Sequence, residues 1–169
     1  MRAGRGGGGA GTGQNEYPRP VPARTPGTES AEPHSSVIRT AALAHVRGRR
    51  LLQARSQGKT AFYMAGGKID PGEDAEQALH REIREELDAG IVPGTLERLG
   101  VFEAPAFGHR PGTALHMTCF TAELTSEPRA TSEIAELRYF TLDEYAAMPE
   151  VAPGSLLVFR RLRALGLID

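Results

Sequence analysis

The chain has 169 residues, 40% of them hydrophobic, with 20 basic and 21 acidic side chains for a net charge of −1. That length holds one ordinary domain plus a tail, and the near-neutral balance argues against bulk nucleic-acid or membrane binding as the main role. No apolar run approaches the length of a membrane span, and the single cysteine, Cys119, rules out an intrachain disulfide and fits a reducing cytoplasm.

Residues 1–35 differ in composition from the rest. MRAGRGGGGAGTGQ is glycine-rich and YPRPVPARTPGTESAEP is proline-rich, so the segment cannot bury enough surface to offset its ordering entropy and is expected to be a disordered tail. It lacks the apolar core of a secretory signal, so export is not expected. Arg2, Arg5, Arg19 and Arg24 offer scattered cations to RNA, but a passive tail is the simpler reading. Deleting Met1 to Glu32 is therefore expected to leave the unfolding midpoint and the turnover nearly unchanged. A truncated protein that unfolds, or loses most of its rate, would make the tail structural.

Residues 36–169 read as one domain. Val37 to Val46 reads as a strand, and Gly48 marks a turn into Arg50–Ala54, giving a hairpin. After a polar turn at Ser56-Gln57-Gly58, Thr60–Met64 reads as a strand ending at the turn Gly66-Gly67. Asp70-Pro71-Gly72-Glu73-Asp74 is turn chemistry leading into a helix N-terminus, with acidic residues at the positive end of its dipole. The helix runs from about Asp74 to Leu87. Leu96–Ala104 is a further strand and Phe107–Gly112 a loop. The run Ala114–Leu124 alternates Leu115, Met117 and Cys119 as a strand does, which makes Cys119 a packing residue rather than a nucleophile. Leu137–Phe140 is a short strand, and Leu142–Met148 and Ser155–Leu165 read as helices. There is no internal repeat. Short strands interspersed with helices predict an α+β sandwich.

The helix after the glycines carries the chemistry. At about 100° per residue, Ala75, Ala78, Leu79, Ile83 and Leu87 form an apolar stripe, while Glu76, Gln77, His80, Arg81 and Arg84 fall opposite. Glu82 and Glu86 project within the arc of Ala75 and Leu79, and Glu85 lies at its edge beside Ala78. Spaced i, i+3 and i+4, these carboxylates repel one another and resist desolvation, at several kcal/mol per buried ion. A bound divalent cation relieves both problems. The glycines let backbone approach a ligand, and Lys68 adds a cation suited to phosphate. A strand, a glycine-rich turn and an acid-rich helix thus suggest Mg²⁺-assisted chemistry at phosphorus.

These residues resemble the Nudix hydrolase pattern G-x5-E-x7-R-E-U-x-E-E-x-G-U, where U is a bulky aliphatic residue. Gly67, Glu73, Arg81, Glu82, Ile83, Glu85 and Glu86 fill seven of its nine fixed positions. Asp88 and Ala89 depart from it. Aspartate tolerates the left-handed conformation that the usual glycine supplies at a helix end, and Gly90 is an alternative terminator.

The resemblance implies an α+β fold, a mixed β-sheet sandwiched between helices, and hydrolysis of a diphosphate linkage in a small-molecule nucleoside diphosphate derivative. It implies Glu82, Glu85, Glu86 and the Gly66 carbonyl as ligands of Mg²⁺, with Mn²⁺ as substitute, and a Glu73–Arg81 pair tying loop to helix. It further implies a later carboxylate as ligand or general base, with Glu133 the first candidate, Glu136 the second, and Glu82 a rival for the base. Lys68 and Arg110, in the loop Gly108–Gly112, are candidates for substrate binding. Pro105 resembles a marker of ADP-ribose-cleaving relatives, whereas the GGKID opening resembles enzymes acting on oxidised purine nucleoside triphosphates, so both substrates stay open. A non-catalytic nucleotide-sensing domain is the alternative; such domains tend to lose box carboxylates, and this chain keeps Glu73, Glu82, Glu85 and Glu86. No membrane partner is expected, nucleic acid is disfavoured as a partner, and a homodimer is left open.

Overall fold

The computed structural model describes residues 36–169, and the tail expected over 1–35 lies outside them. In chain order the elements are β1 (Val37–Leu43), β2 (Val46–Arg47), β3 (Arg50–Ser56), β4 (Ala65–Lys68), α1 (Ala75–Leu87), β5 (Glu97–Pro105), β6 (Ala114–Thr121), β7 (Ile134–Phe140), α2 (Leu142–Ala146) and α3 (Pro153–Ala164). One sheet has the order β4-β1-β6-β5, parallel between β1 and β6 and antiparallel elsewhere. A second, antiparallel sheet has the order β2-β3-β7.

Strand alternation explains how the first sheet serves two cores. Ala41 and Leu43 face a core shared with Ala78, Leu79, Ile83 and Leu87 of α1. Ala42 and Ala44 face the other, shared with Val158, Phe159 and Leu162 of α3 and Tyr145 of α2. The mixed sheet therefore lies between helices, as expected. On α1 the apolar stripe is buried at Ala78, Leu79, Ile83 and Leu87. Burying each of the larger three contributes about 2 kcal/mol, which fixes the rotation of the helix and hence the direction of its glutamates. No helix among the described residues is long and apolar enough to cross a membrane.

Several boundaries differ from the sequence reading: the run Val37–Val46 divides between β1 and β2, which lie in different sheets, and β7 begins at Ile134 rather than Leu137. Thr60–Met64 is not a regular strand; Phe62 and Tyr63 make only isolated bridges, to Val151 and Ala54. The regular strand is instead Ala65–Lys68, where the glycines had suggested a turn. It pairs antiparallel with β1, Gly66 opposite Ala42 and Gly67 opposite Ala41. A Cβ on Gly66, at φ 132°, would stand 2.2 Å from the Ala41 carbonyl oxygen. Glycine is needed here for close packing of two strands, a tertiary reason that local propensity does not carry.

The box helix starts with a capping box: Asp74 accepts from the Gln77 N–H at 2.8 Å, and Gln77 Oε1 accepts from the Asp74 N–H at 2.9 Å. It ends at Asp88, which itself takes the left-handed conformation (φ 49°, ψ 39°) that glycine fills in the family pattern.

Candidate active site

β4 and α1 lie side by side, and glycine on the strand lets the helix carboxylates reach the backbone. The Gly66 N–H donates to Glu86 Oε2 at 2.8 Å. A Cβ on Gly67 would fall 2.2 Å from Glu82 Oε1, so the Glu82 carboxylate occupies the space a side chain would need. Glu86 is half-buried, and its carboxyl is pushed up to about 7. Burial is the main cause; the negative charges of Glu82, Glu133 and Glu85 add to it, and the Gly66 N–H opposes it.

Arg81 leaves the outward placement that the helical period predicts and makes the Glu73 pair that the family resemblance implies. Its long stem returns to the preceding loop, and its guanidinium forks onto Glu73, Nε to Oε1 and Nη2 to Oε2, both at 2.9 Å. The same group donates to Glu82 Oε1 at 2.7 Å, Glu85 Oε2 at 3.3 Å and the Lys68 carbonyl at 3.0 Å. The Arg81 fork and the Asp70 N–H together hold the Glu73 carboxyl down at about 2, and the arginine is itself driven to a still higher pKa. One cation thus ties the loop before the helix to the glutamates on it.

A cavity of about 240 Å³ opens beside these groups, lined by Gly66, Gly67, Lys68 and Glu86 and also by Tyr63, Phe107 and His109. The Tyr63 and Phe107 rings stand tilted at 58° with centroids 6.1 Å apart. Pro105, Met64, Met117 and Ser155 complete much of the wall. Ser155 is buried, and its Oγ accepts from the Met64 N–H at 3.2 Å.

Of the residues singled out from sequence, Arg81 joins Glu73, Glu82 and Glu85, while Glu86 is held separately by Gly66, with Glu82 seated against the adjacent Gly67. Glu133 is exposed on the loop before β7, close enough for its charge to act on Glu86. Glu136 pairs instead with Arg55 of β3 at 3.0 Å. Lys68 lines the cavity, whereas Arg110 is exposed and outside its lining. Among the described residues no three Asp, Glu, His or Cys side chains stand at the spacing of a preformed cation cage, and Glu85 is turned toward Arg81. Tyr63, Phe107 and Ser155 were missed as cavity walls, whereas His109 belongs to the loop Gly108–Gly112 that the sequence offers for substrate binding. Phe107 carried the one available signal, an aromatic side chain in an otherwise polar loop.

A family model described as the NUDIX domain matches residues 37–162, and the chain belongs to that family. It is 30% identical over 105 residues to the NAD-capped RNA hydrolase NudC of Stutzerimonas stutzeri, covering 61% of this chain and 36% of that protein. It is also 30% identical over 94 residues to an ADP-ribose pyrophosphatase of Methanocaldococcus jannaschii, covering 56% of this chain and 52% of that protein. The matches thus span between about a third and a half of those relatives' lengths. The fold superposes on the solution structure of the E. coli ORF135 protein with a TM-score of 0.61 at 25% identity, covering 78% of this chain and 91% of that one.

Proposed function

We propose that the chain is a divalent-metal-dependent pyrophosphohydrolase that cleaves the diphosphate linkage of a small-molecule nucleoside diphosphate derivative. The observation that carries this reading is a single cavity lined by Glu86, the Gly66–Gly67 backbone and Lys68 together with the Tyr63–Phe107 pair. Anionic and flat aromatic parts of one substrate both find complementary surfaces there.

The donors suit a hard cation. Glu86 is half-buried under the negative field of Glu82, Glu133 and Glu85, so added positive charge is stabilising, and carboxylate and carbonyl oxygens are the ligands Mg²⁺ and Mn²⁺ take. Glu82, Glu85, Glu86 and the Gly66 carbonyl would hold the ion, with Glu85 swinging off Arg81. When bound, the ion polarises the phosphates and neutralises charge that develops during cleavage.

The chain's own groups do the rest. Arg81 and Glu73 hold Glu82 in place. Lys68 meets a phosphate, and Tyr63 and Phe107 flank the base. Glu133 orients the attacking water and takes its proton, since Glu82 is committed to Arg81 at 2.7 Å. Arg110 is left to a part of the substrate that extends beyond the cavity. Of the two substrate readings, the ADP-linked one gains support: the two relatives are named for NAD-capped RNA and ADP-ribose, which share an adenosine diphosphate group, and Pro105 lines the cavity.

A product screen that separates the nucleoside monophosphates chromatographically tests this, with Mg²⁺ and a panel of ADP-ribose, NAD⁺, nucleoside triphosphates, dinucleoside polyphosphates and nucleotide sugars. Turnover of an ADP-linked compound, lost in excess EDTA and restored by Mg²⁺ or Mn²⁺, is the expected result. Full turnover in EDTA would defeat the metal reading. Binding without cleavage across the panel would favour the nucleotide-sensing alternative.

A further inference from the structure

Between Thr125 and Glu133 the chain is tied down at every second residue. The Thr125 N–H donates to the Gly90 carbonyl at 2.9 Å, and the Gly90 N–H donates back to Thr125 Oγ1 at 3.0 Å. Glu127 pairs with Arg47, whose guanidinium lies 4.7 Å from the centre of the Tyr139 ring. The Arg129 N–H donates to the Leu87 carbonyl at 2.8 Å, and the Thr131 N–H to the Glu86 carbonyl at 3.3 Å. Lastly, the Gln57 N–H donates to the Glu133 carbonyl at 2.9 Å.

Two of these acceptors are last-turn carbonyls of α1, which have no donor within the helix. The segment therefore acts as a strap that closes the end of α1. It is anchored at one end on Gly90, three residues past the helix, and at the other on Gln57 in the turn that follows β3. A bend closed by the Ile134 N–H on the Thr131 carbonyl, at 3.1 Å, sets Glu133 at the far end.

Gly90 has a particular part in this. It is not in the left-handed region, so conformational freedom is not what it supplies. A Cβ there would meet Thr125 Oγ1 at 3.1 Å and Cγ2 at 3.4 Å. Asp88 closes the helix, which leaves Gly90 as a bare seat for Thr125.

We propose that Thr125 and Gly90 are positioning residues whose contact seats this strap against the box helix and so sets where Glu133 stands relative to Glu86. The inference rests on the proposed role of Glu133 in orienting the water. Misplacing a catalytic group by about 1 Å costs up to about 10² in rate, so a slack strap acts on the chemical step and leaves binding alone.

The test compares Thr125→Val, which removes the acceptor, with Thr125→Ser, which keeps it. In the substrate-free protein, Thr125→Val is expected to speed hydrogen exchange at the Arg129, Thr131 and Gln57 amides, with Thr125→Ser close to wild type. On ADP-ribose, or on dGTP if that is turned over faster, kcat should fall about tenfold with KM within about twofold. The same change in a Glu133→Gln background should cost less than about twofold further, because the group being positioned is gone. Gly90→Ala, which crowds the seat without removing a hydrogen bond, should show the same exchange pattern and serves if Thr125→Val does not fold. Unchanged exchange in both variants overturns the strap, as does a Thr125→Val rate loss that persists in full in the Glu133→Gln background. Wild-type turnover in Glu133→Gln itself overturns the reading of Glu133, and the positioning role with it.

Discussion

Glu86→Gln is expected to raise the thermal midpoint of the metal-free protein while cutting metal-dependent turnover by about 10² or more. Glutamine keeps an oxygen to accept from the Gly66 N–H, which now serves Glu86 Oε2 at 2.8 Å, and removes a charge that burial and its neighbours disfavour. The Glu86 carboxyl is pushed from 4.5 to about 7 in the folded protein. Between those values the folded state binds more protons than the unfolded one, so this group's contribution to stability falls as pH rises through the window. The penalty is complete above it. Metal-free wild type should therefore gain on the order of 1–3 kcal/mol from this group on acidification from about pH 8 to pH 5, and Glu86→Gln should lack that gain. Melting curves at the two pH values, with and without Mg²⁺, measure it. Glu76→Gln is the control, because Glu76 is exposed in the first turn of the same helix. Equal rate losses in the two variants would show that the helix does not present Glu86 to the chemistry.

The second large effect is expected at Arg81. Arg81→Lys preserves the charge but not the planar fork, which reaches both oxygens of Glu73, Glu82, Glu85 and the Lys68 carbonyl at once. An ammonium cannot satisfy these together, so Glu82 loses its fixed position and Glu73 its bidentate partner. Turnover should drop by about 10–100-fold and the thermal midpoint should fall. Arg84→Lys, on an exposed position of the same helix, should change neither. Near-wild-type turnover in Arg81→Lys would mean that positive charge alone is enough, and that the fork has no part in holding the site.

The two variants also bear on each other. Arg81 is the cation that the box glutamates already have, and it takes one oxygen of Glu82 and one of Glu85. A metal ion has to compete for Glu85 and share Glu82, so tighter metal binding is not the expected consequence of a stronger Arg81 contact. Removing charge at Glu86 leaves this arrangement intact.

The sequence by itself determined the pieces whose physics is local. The apolar stripe of α1, its acidic start and the spacing of Glu82, Glu85 and Glu86 follow from the helical period. The hairpin at Gly48 follows from turn chemistry. Because the stripe must be buried, the general direction of Glu82 and Glu86 was readable as well. Tertiary structure alone decided the rest. Ala65–Lys68 is a strand because it pairs with β1, where the Ala41 carbonyl leaves room only for glycine at Gly66, while Gly67 makes room for the Glu82 carboxylate. The Glu73–Arg81 pair was legible through the family pattern but not through the helical period, because the stem of Arg81 reaches back across the loop in a way the angle of its Cβ does not reveal. Tyr63 and Phe107 meet only when the loop after β5 comes against the bridged segment before β4. Glu133, the first candidate from the resemblance, comes close enough for its charge to act on Glu86 because distant backbone donors strap its loop to the helix end, while β3 offers Arg55 to Glu136. These are contacts between residues far apart in the chain, and their geometry exists only once the sheets have paired.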